Sequence, residues 1–467
     1  MKKPAGGGRR CWHSPSGAAK IGQIHPGELH MTRLAEYSLI NPRALTPASV
    51  LLWMCLAWLA IYWLAPVEMY ASATNAPYLL LGSCLAALLG GLVLFESKSL
   101  PTPAVDRDDE HRHLRLLYRV AFVLGTLGII LRVADWVFLR GLTIDTGFME
   151  NREKIESAGS NAFSMASTLL VPFTVVPYML YAVARRNGLQ VGRTWTGIGL
   201  ALLWPLLTIV IGSRSSMFMS IGMLAIARLI IFRRTSKLAV AAIILGFVGL
   251  IYVGGLLFIA RLTEIGLKVE GVIKFSAFTH LVPVTNDYYH FVSTLPNWQN
   301  DSAFIATTFA QYVLHGVPEF IYLTEHYTKG EQWGLYGFSF FPRLAATLWG
   351  VTYDANVLVF STPRVGTYTT MFGPFYVDYG PLTPIFCLLL GGFISFTRKR
   401  VLQGDIAALP LYITFVMQVS AAIIVNTFLA AYGIFFNLAF IGFWIGVTML
   451  RSRPNKRPVW SAQGAKP

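Results

Sequence analysis

Gln311, His315 and Glu319 stand four residues apart between Ala303 and Tyr327, with Tyr322 and His326 continuing near the same face. Residues so spaced on an α-helix are neighbours, which sets an imidazole beside a carboxylate. That is the pairing of a general base with the group that orients it. The other faces of this stretch, with Phe309, Val313, Leu314 and Phe320, are apolar. The pattern predicts a helix with its polar stripe turned inward, and it equally fits an amphipathic helix lying on a membrane. Gly316 and Pro318 bend it in either case. A second acid–base pair, Asp287 and His290, lies three apart in TNDYYHF. Around it Tyr288, Tyr289, Trp298, Trp333 and Tyr336 offer flat amphipathic rings for a sugar, or an aromatic belt at a membrane interface. The His/Glu spacing matches no metal-ligand signature and no CxxC occurs, so no metal and no cofactor are expected.

The arginines suggest a different partner. Arg132 lies inside an apolar run with Asp135 three residues on and Arg140 beyond. An ionisable residue within a span is costly and points to function, or to an internal ion pair, or to a side chain snorkelling outward. Arg214 sits in GSRSS, a turn too short to leave the bilayer surface. A guanidinium beside serines suits phosphate, and the following helix N-terminus reinforces it; a solvated turn arginine on lipid head groups is the plainer reading. Arg152, Arg261, Arg343 and Arg364 fall in the same set of connections, and each asks for an anion. Asp354 and Asp378 are carboxylates of the long loop, and Asp378 is expected to cap the next helix.

Those residues need a frame, and composition supplies one. The 467 residues are 54% hydrophobic and 13% charged, where a soluble domain carries about 25% charge. Apolar runs of spanning length fall at 47–64, 77–95, 116–139, 163–184, 195–211, 215–232, 237–260, 380–397, 406–426 and 430–449. The fold class is therefore an all-α polytopic membrane protein of about ten transmembrane helices. Residues 1–46 form a basic tail, 47–260 seven helices, 261–379 a long loop containing amphipathic helices, 380–450 three helices, and 451–467 a second tail. The loop is too rich in Phe, Tyr and Trp to be disordered, and loops of this length are normally functional. Most of the 38 Lys and Arg residues occupy alternate connections, which puts both termini in the cytoplasm and the loop outside. The net charge of +15 is thereby explained without nucleic acid. Arg9-Arg10 precedes no apolar run before Pro47, so no signal peptide is expected, and Met31 is a candidate start. No Walker A loop, GxSxG or HExxH is present, so what is transformed is expected to come from the membrane at the outer face.

Two segments carry a family resemblance: WPLLTIVIGSRSSMFMSIGMLAIARLIIFRR at 204–234 and GTYTTMFGPFYVDYGPLTPIFCLLLGG at 366–392. With the architecture, over roughly 116–450, the chain resembles the bacterial oligosaccharide repeat-unit polymerases, the Wzy-type O-antigen polymerases. The resemblance implies nucleotide-sugar-independent glycosyl transfer between undecaprenyl-diphosphate-linked glycans at the outer face of the inner membrane, for O-antigen, capsule or exopolysaccharide. It implies that Arg214, Arg132, Arg261 and Arg364 neutralise the diphosphate leaving group, and that His315, Glu319, Asp287 or His290 deprotonates the acceptor. Tyr288, Tyr289, Trp298 and Trp333 would bind sugar. A chain-length-determining co-polymerase and a flippase would be partners, within membrane lipid. An O-antigen ligase, a lipid-linked glycan transporter and a non-catalytic assembly subunit share enough of this pattern to remain alternatives.

Overall fold

The computed structural model describes residues 39–41, 45–95, 107–143, 147–157, 161–209, 215–232, 235–264, 266, 278–350, 352–353, 357–358, 360–429 and 433–452. Its elements are helices. The first half comprises α1 (Pro47–Leu64), α2 (Ala76–Leu94), α3 (Arg107–Ala134), α4 (Phe148–Ser157), α5 (Ala162–Leu170), α6 (Val176–Arg186), α7 (Thr194–Thr208), α8 (Ser215–Ile231) and α9 (Lys237–Glu264). The long loop contributes α10 (Asn286–Ser293), α11 (Asn297–Leu314), α12 (Gly316–His326) and α13 (Phe340–Trp349). Then follow α14 (Phe372–Tyr379), α15 (Thr383–Leu402), α16 (Leu409–Ser420) and α17 (Gly433–Ser452).

Local chemistry explains several boundaries. Thr46 and Ser49 form a reciprocal capping box ahead of Pro47 at the start of α1. The Asn161 side chain accepts from the Ser164 amide to open α5. Gly380, at φ +52°, ends α14 in a conformation that favours glycine. A 3₁₀ turn over Gly380–Leu382 then leads into α15.

All ten apolar runs contain helix, yet among the described residues seven spans are long and apolar enough to cross a membrane: Pro47–Leu64, Ala76–Leu94, Asp109–Leu139, Ala162–Arg186, Lys237–Ala260, Phe372–Leu402 and Gly433–Arg451. Thr194–Thr208, Met217–Ile231 and Ile406–Ser420 are shorter apolar helices. The last of these is cut short because the chain unwinds after Ser420. Residues 421–429 run on as turns, with Ala422, Asn426 and Phe428 buried. Unwound backbone buried in protein must find partners there: the Met371 amide donates to the Ala422 carbonyl at 2.8 Å and Asn437 Nδ2 to the Phe428 carbonyl at 3.2 Å. The span expected from residue 380 begins instead at Phe372, because α14 and the 3₁₀ turn are continuous with α15.

Glycines let α2 and α15 meet backbone to backbone. A side chain at Gly91 would run into the Leu388 carbonyl, and one at Gly391 into the Leu88 carbonyl, the small-residue contact of membrane helices. Connections gather at two ends of the bundle. At one, Glu68 and Tyr70 donate their amides to the Pro283 and Leu281 carbonyls at 2.9 and 2.8 Å, joining the turn after α1 to the long loop. At the other, the His111 ring lies 3.1 Å from the Gln190 carbonyl and Arg186 donates to the Ile231 carbonyl at 2.8 Å. This grouping agrees with the alternation of basic and non-basic connections.

Candidate active site: a buried Glu–Arg pair at a cleft

The 303–327 stretch is two helices, α11 and α12, joined at His315. Pro318 has no amide hydrogen to offer Leu314, which weakens the ladder there. Gly316 is required by close approach: a Cβ would collide with the Ile424 carbonyl of the unwound segment. The bend carries the polar stripe inward. Gln311, His315 and Glu319 are each no more than 2% exposed, and Gln311 Nε2 donates to the Val282 carbonyl at 2.9 Å. Val317, Phe320, Ile321 and Leu323 are buried as well, so α12 is packed on most of its faces.

A buried carboxylate needs a partner, and Glu319 has one from 45 residues on. Arg364 Nε donates to both carboxylate oxygens at 3.0 and 3.2 Å, and the Thr367 hydroxyl donates to Oε2 at 3.2 Å. The guanidinium stands 6.0 Å from the Tyr322 ring centre. Burial pushes the Glu319 carboxyl above its usual range, while Arg364 and Thr367 pull the other way. His315 is neutral: burial lowers it from 6.5 to about 4, against the Tyr312, Gln311 and Tyr368 carbonyls and together with the Arg364 charge. Its Nδ1 lies 2.7 Å from the Tyr312 carbonyl and so carries the proton.

Glu319 and Arg364 line a cleft of about 340 Å³, counted with its mouth, whose walls include Tyr322, Tyr336, Thr367 and Thr369. Asp378 positions one wall. It is fully buried and its carboxylate accepts from the Tyr336 and Gly337 amides at 3.0 and 2.8 Å. It therefore braces the 333–337 turn rather than capping the next helix as expected, because the turn folds over α14 and brings two amides within reach. Burial, helped by the Asp378 charge, raises the Tyr336 phenol, leaving its hydroxyl a donor. Thr362, Thr367 and Thr369 were not singled out by sequence; the only signal for them is their density in STPRVGTYTT beside Arg364.

Arg132 lies elsewhere. It belongs to α3, where its Nη1 is 4.0 Å from Asp135 and its Nη2 donates to the Ser164 carbonyl and the Thr168 hydroxyl. Its guanidinium sits 5.6 and 5.9 Å from the Trp204 and Trp136 rings. Asp135 accepts twice from Arg140 Nε, at 3.0 and 3.1 Å, and also from Asn161. Arg140 donates on to the Ile155 carbonyl at 2.7 Å. The helix here widens into a π turn, Asp135–Leu139, a feature found mostly at functional or constrained sites. These partners come from α3 and the π turn after it, α4, α5 with its N-cap, and α7, whereas the carboxylate that Arg364 holds comes from α12.

The remaining candidates are dispersed. Asp287 and His290 are exposed on α10. Tyr288 accepts from the Thr307 hydroxyl at 3.0 Å, and Tyr289 packs on the Phe304–Ile305 cluster. Trp298 and Trp333 are 70% and 68% exposed, and Trp333 holds a strained φ of +50°. Arg343 is exposed on α13. Arg214 and Asp354 lie outside the described residues, as do the side chains of Arg152 and Arg261. Among the described residues no three His, Cys, Asp or Glu side chains gather where a metal ion could be held. Compared with known proteins, the chain matches no family model, no curated protein and no solved structure.

Proposed function

We propose that the chain is a bacterial inner-membrane polysaccharide polymerase, joining polyprenyl-diphosphate-linked repeat units with the Glu319–Arg364 cleft as its active site. The observation that carries this reading is a carboxylate, 2% exposed and raised by burial, held by an arginine at a cleft walled with threonine and tyrosine hydroxyls. A dry carboxylate with raised proton affinity is suited to general-base work. An arginine suits phosphate, and hydroxyls suit sugar. The charge bias of the connections favours the long loop facing outward.

In this mechanism Arg364 binds the donor diphosphate and Glu319 takes the proton of an acceptor sugar hydroxyl. That oxygen attacks the anomeric carbon of the growing chain. The bond from carbon to diphosphate oxygen breaks, and polyprenyl diphosphate leaves with its charge matched by the guanidinium. His315, neutral and bonded to the Tyr312 carbonyl, orients the helix bend beneath Glu319.

Deleting the gene and running surface glycan on a gel tests the reading, with Glu319→Gln and the native gene as complements. The proposal expects single-repeat product from the deletion and from Glu319→Gln. Lipid-linked polymer that never reaches its acceptor would indicate a ligase, and repeat units held in the cytoplasm a flippase.

A further inference from the structure

The Glu319–Arg364 pair has a property that a base and an anion site placed apart would lack. Arg364 is committed to the carboxylate through Nε, which faces both Glu319 oxygens. The same guanidinium lies at the cleft wall and is the only cationic side chain among the described lining residues. An anion entering the cleft and the Glu319 carboxylate therefore draw on one cation. Arg364 also lies on an irregular segment, 360–371, rather than on a helix, so its placement is not set by a helical ladder.

We infer that the cleft couples anion binding to protonation of Glu319: a phosphate-bearing ligand draws Arg364 away from the carboxylate, and Glu319 takes up a proton in its place. This rests on the reading of the cleft as a lipid-diphosphate site and adds its control. The electrostatics have a definite sign. Burial disfavours the Glu319 anion and Arg364 favours it, so removing the arginine's attention raises the carboxyl's proton affinity. The other titratable groups around it leave that balance in place. His315 precedes Glu319 by one turn and is neutral. Tyr322 on α12, Tyr336 on the 333–337 turn and Tyr376 on α14 are phenols. Helix α2, which packs on α12, has no charged residue in its sequence.

The consequence for catalysis is order. Before the donor binds, Glu319 is an ion-paired carboxylate whose proton affinity, raised by burial, is held in check by Arg364. Once a diphosphate engages Arg364, the carboxylate becomes basic, and in the full complex the proton it takes is the acceptor's own. A base strengthened by the donor does not deprotonate an acceptor when no donor is present.

The test uses the purified full-length protein in lipid nanodiscs and two probes, farnesyl diphosphoglucose and sulfate, neither of which titrates near neutral pH. Calorimetry in buffers of different ionisation heat reads protons taken up on binding. Both probes are expected to bind with proton uptake, their affinity rising up to about tenfold for each pH unit lowered through the window between the free and bound Glu319 values. Glu319→Gln should bind both with a flat pH profile, and Arg364→Ala should lose both, each retaining the native melting temperature within a few degrees. Lipid diphosphate that binds the native protein without proton uptake, or pH-linked binding that survives in Glu319→Gln, overturns the coupling and leaves the polymerase reading standing. Proton-linked sulfate binding without farnesyl diphosphoglucose binding sinks the polymerase reading and leaves the coupling. Failure of both anions to bind overturns both.

Discussion

Two buried arginine–carboxylate networks stand among the described residues, and they differ in how they are closed. Around Asp135 the named partners lie on α3, α4, α5 and α7 or at their ends, and aromatic rings flank the Arg132 guanidinium. Around Glu319 the partners number an arginine and a threonine from one irregular segment, and both line a cleft. Burying charge costs free energy in either place. In the first the return is a fixed arrangement of helices; in the second a polar surface remains open to a ligand. Buried charge is common to both places; the cleft distinguishes the second and is the ground on which the site is proposed there.

The comparison breaks most readily at Asp135. Asp135→Ala leaves Arg132 and Arg140 without their shared anion, and should cost about 3–5 kcal/mol, read as a large fall in membrane protein level and melting temperature. A mild effect would mean that the α3 network is not structural. His315 gives the next effect, through pH. Its proton is held less readily folded, at about 4, than unfolded, at 6.5. Its stabilising contribution is thus whole above pH 6.5 and is lost as pH falls towards 4, up to roughly 3 kcal/mol. Thermal melts across that range should show the loss, and His315→Gln should remove it.

Asp378→Ala comes third. The Tyr336 and Gly337 amides lose their acceptor, a cost of about 1–3 kcal/mol, and the Tyr336 wall of the cleft loosens. Weaker probe binding should accompany the lower melting temperature. The smallest effect belongs to Asp287→Ala and His290→Ala, exposed on α10. Stability should change by no more than about 0.5 kcal/mol, and the surface glycan should keep its normal length. Loss of polymer in either variant would move the base to α10.

The parts of this structure that sequence made legible are those written in local patterns. Every apolar run contains helix, since composition and length act over neighbouring residues. The inward stripe of Gln311, His315 and Glu319 was readable because i, i+4 neighbours are set by helix geometry alone. What escaped depends on distant chain. Arg364 was marked as a cation seeking an anion, but its tie to Glu319 crosses 45 residues through an irregular segment, which no periodicity encodes. Asp378 was read as a cap because it precedes a span, yet its amide donors lie 41 and 42 residues back. The shortening of the 406–426 helix was invisible because residues 421–425 are as apolar as the helix before them; the break is set by Gly316 and Met371 packing against that backbone.

The most direct measurement of the central claim is polymer formed per unit of folded protein for Arg364→Ala and Asp135→Asn, side by side in cells lacking the native gene. The account predicts that Arg364→Ala folds at near-native level and loses at least about a hundredfold in polymer. Asp135→Asn should lower the amount of folded protein while polymer per folded molecule stays within about threefold of native, because its network is structural. Full polymer from Arg364→Ala, with Asp135→Asn folded but inactive, would contradict it and place the chemistry in the α3 network instead.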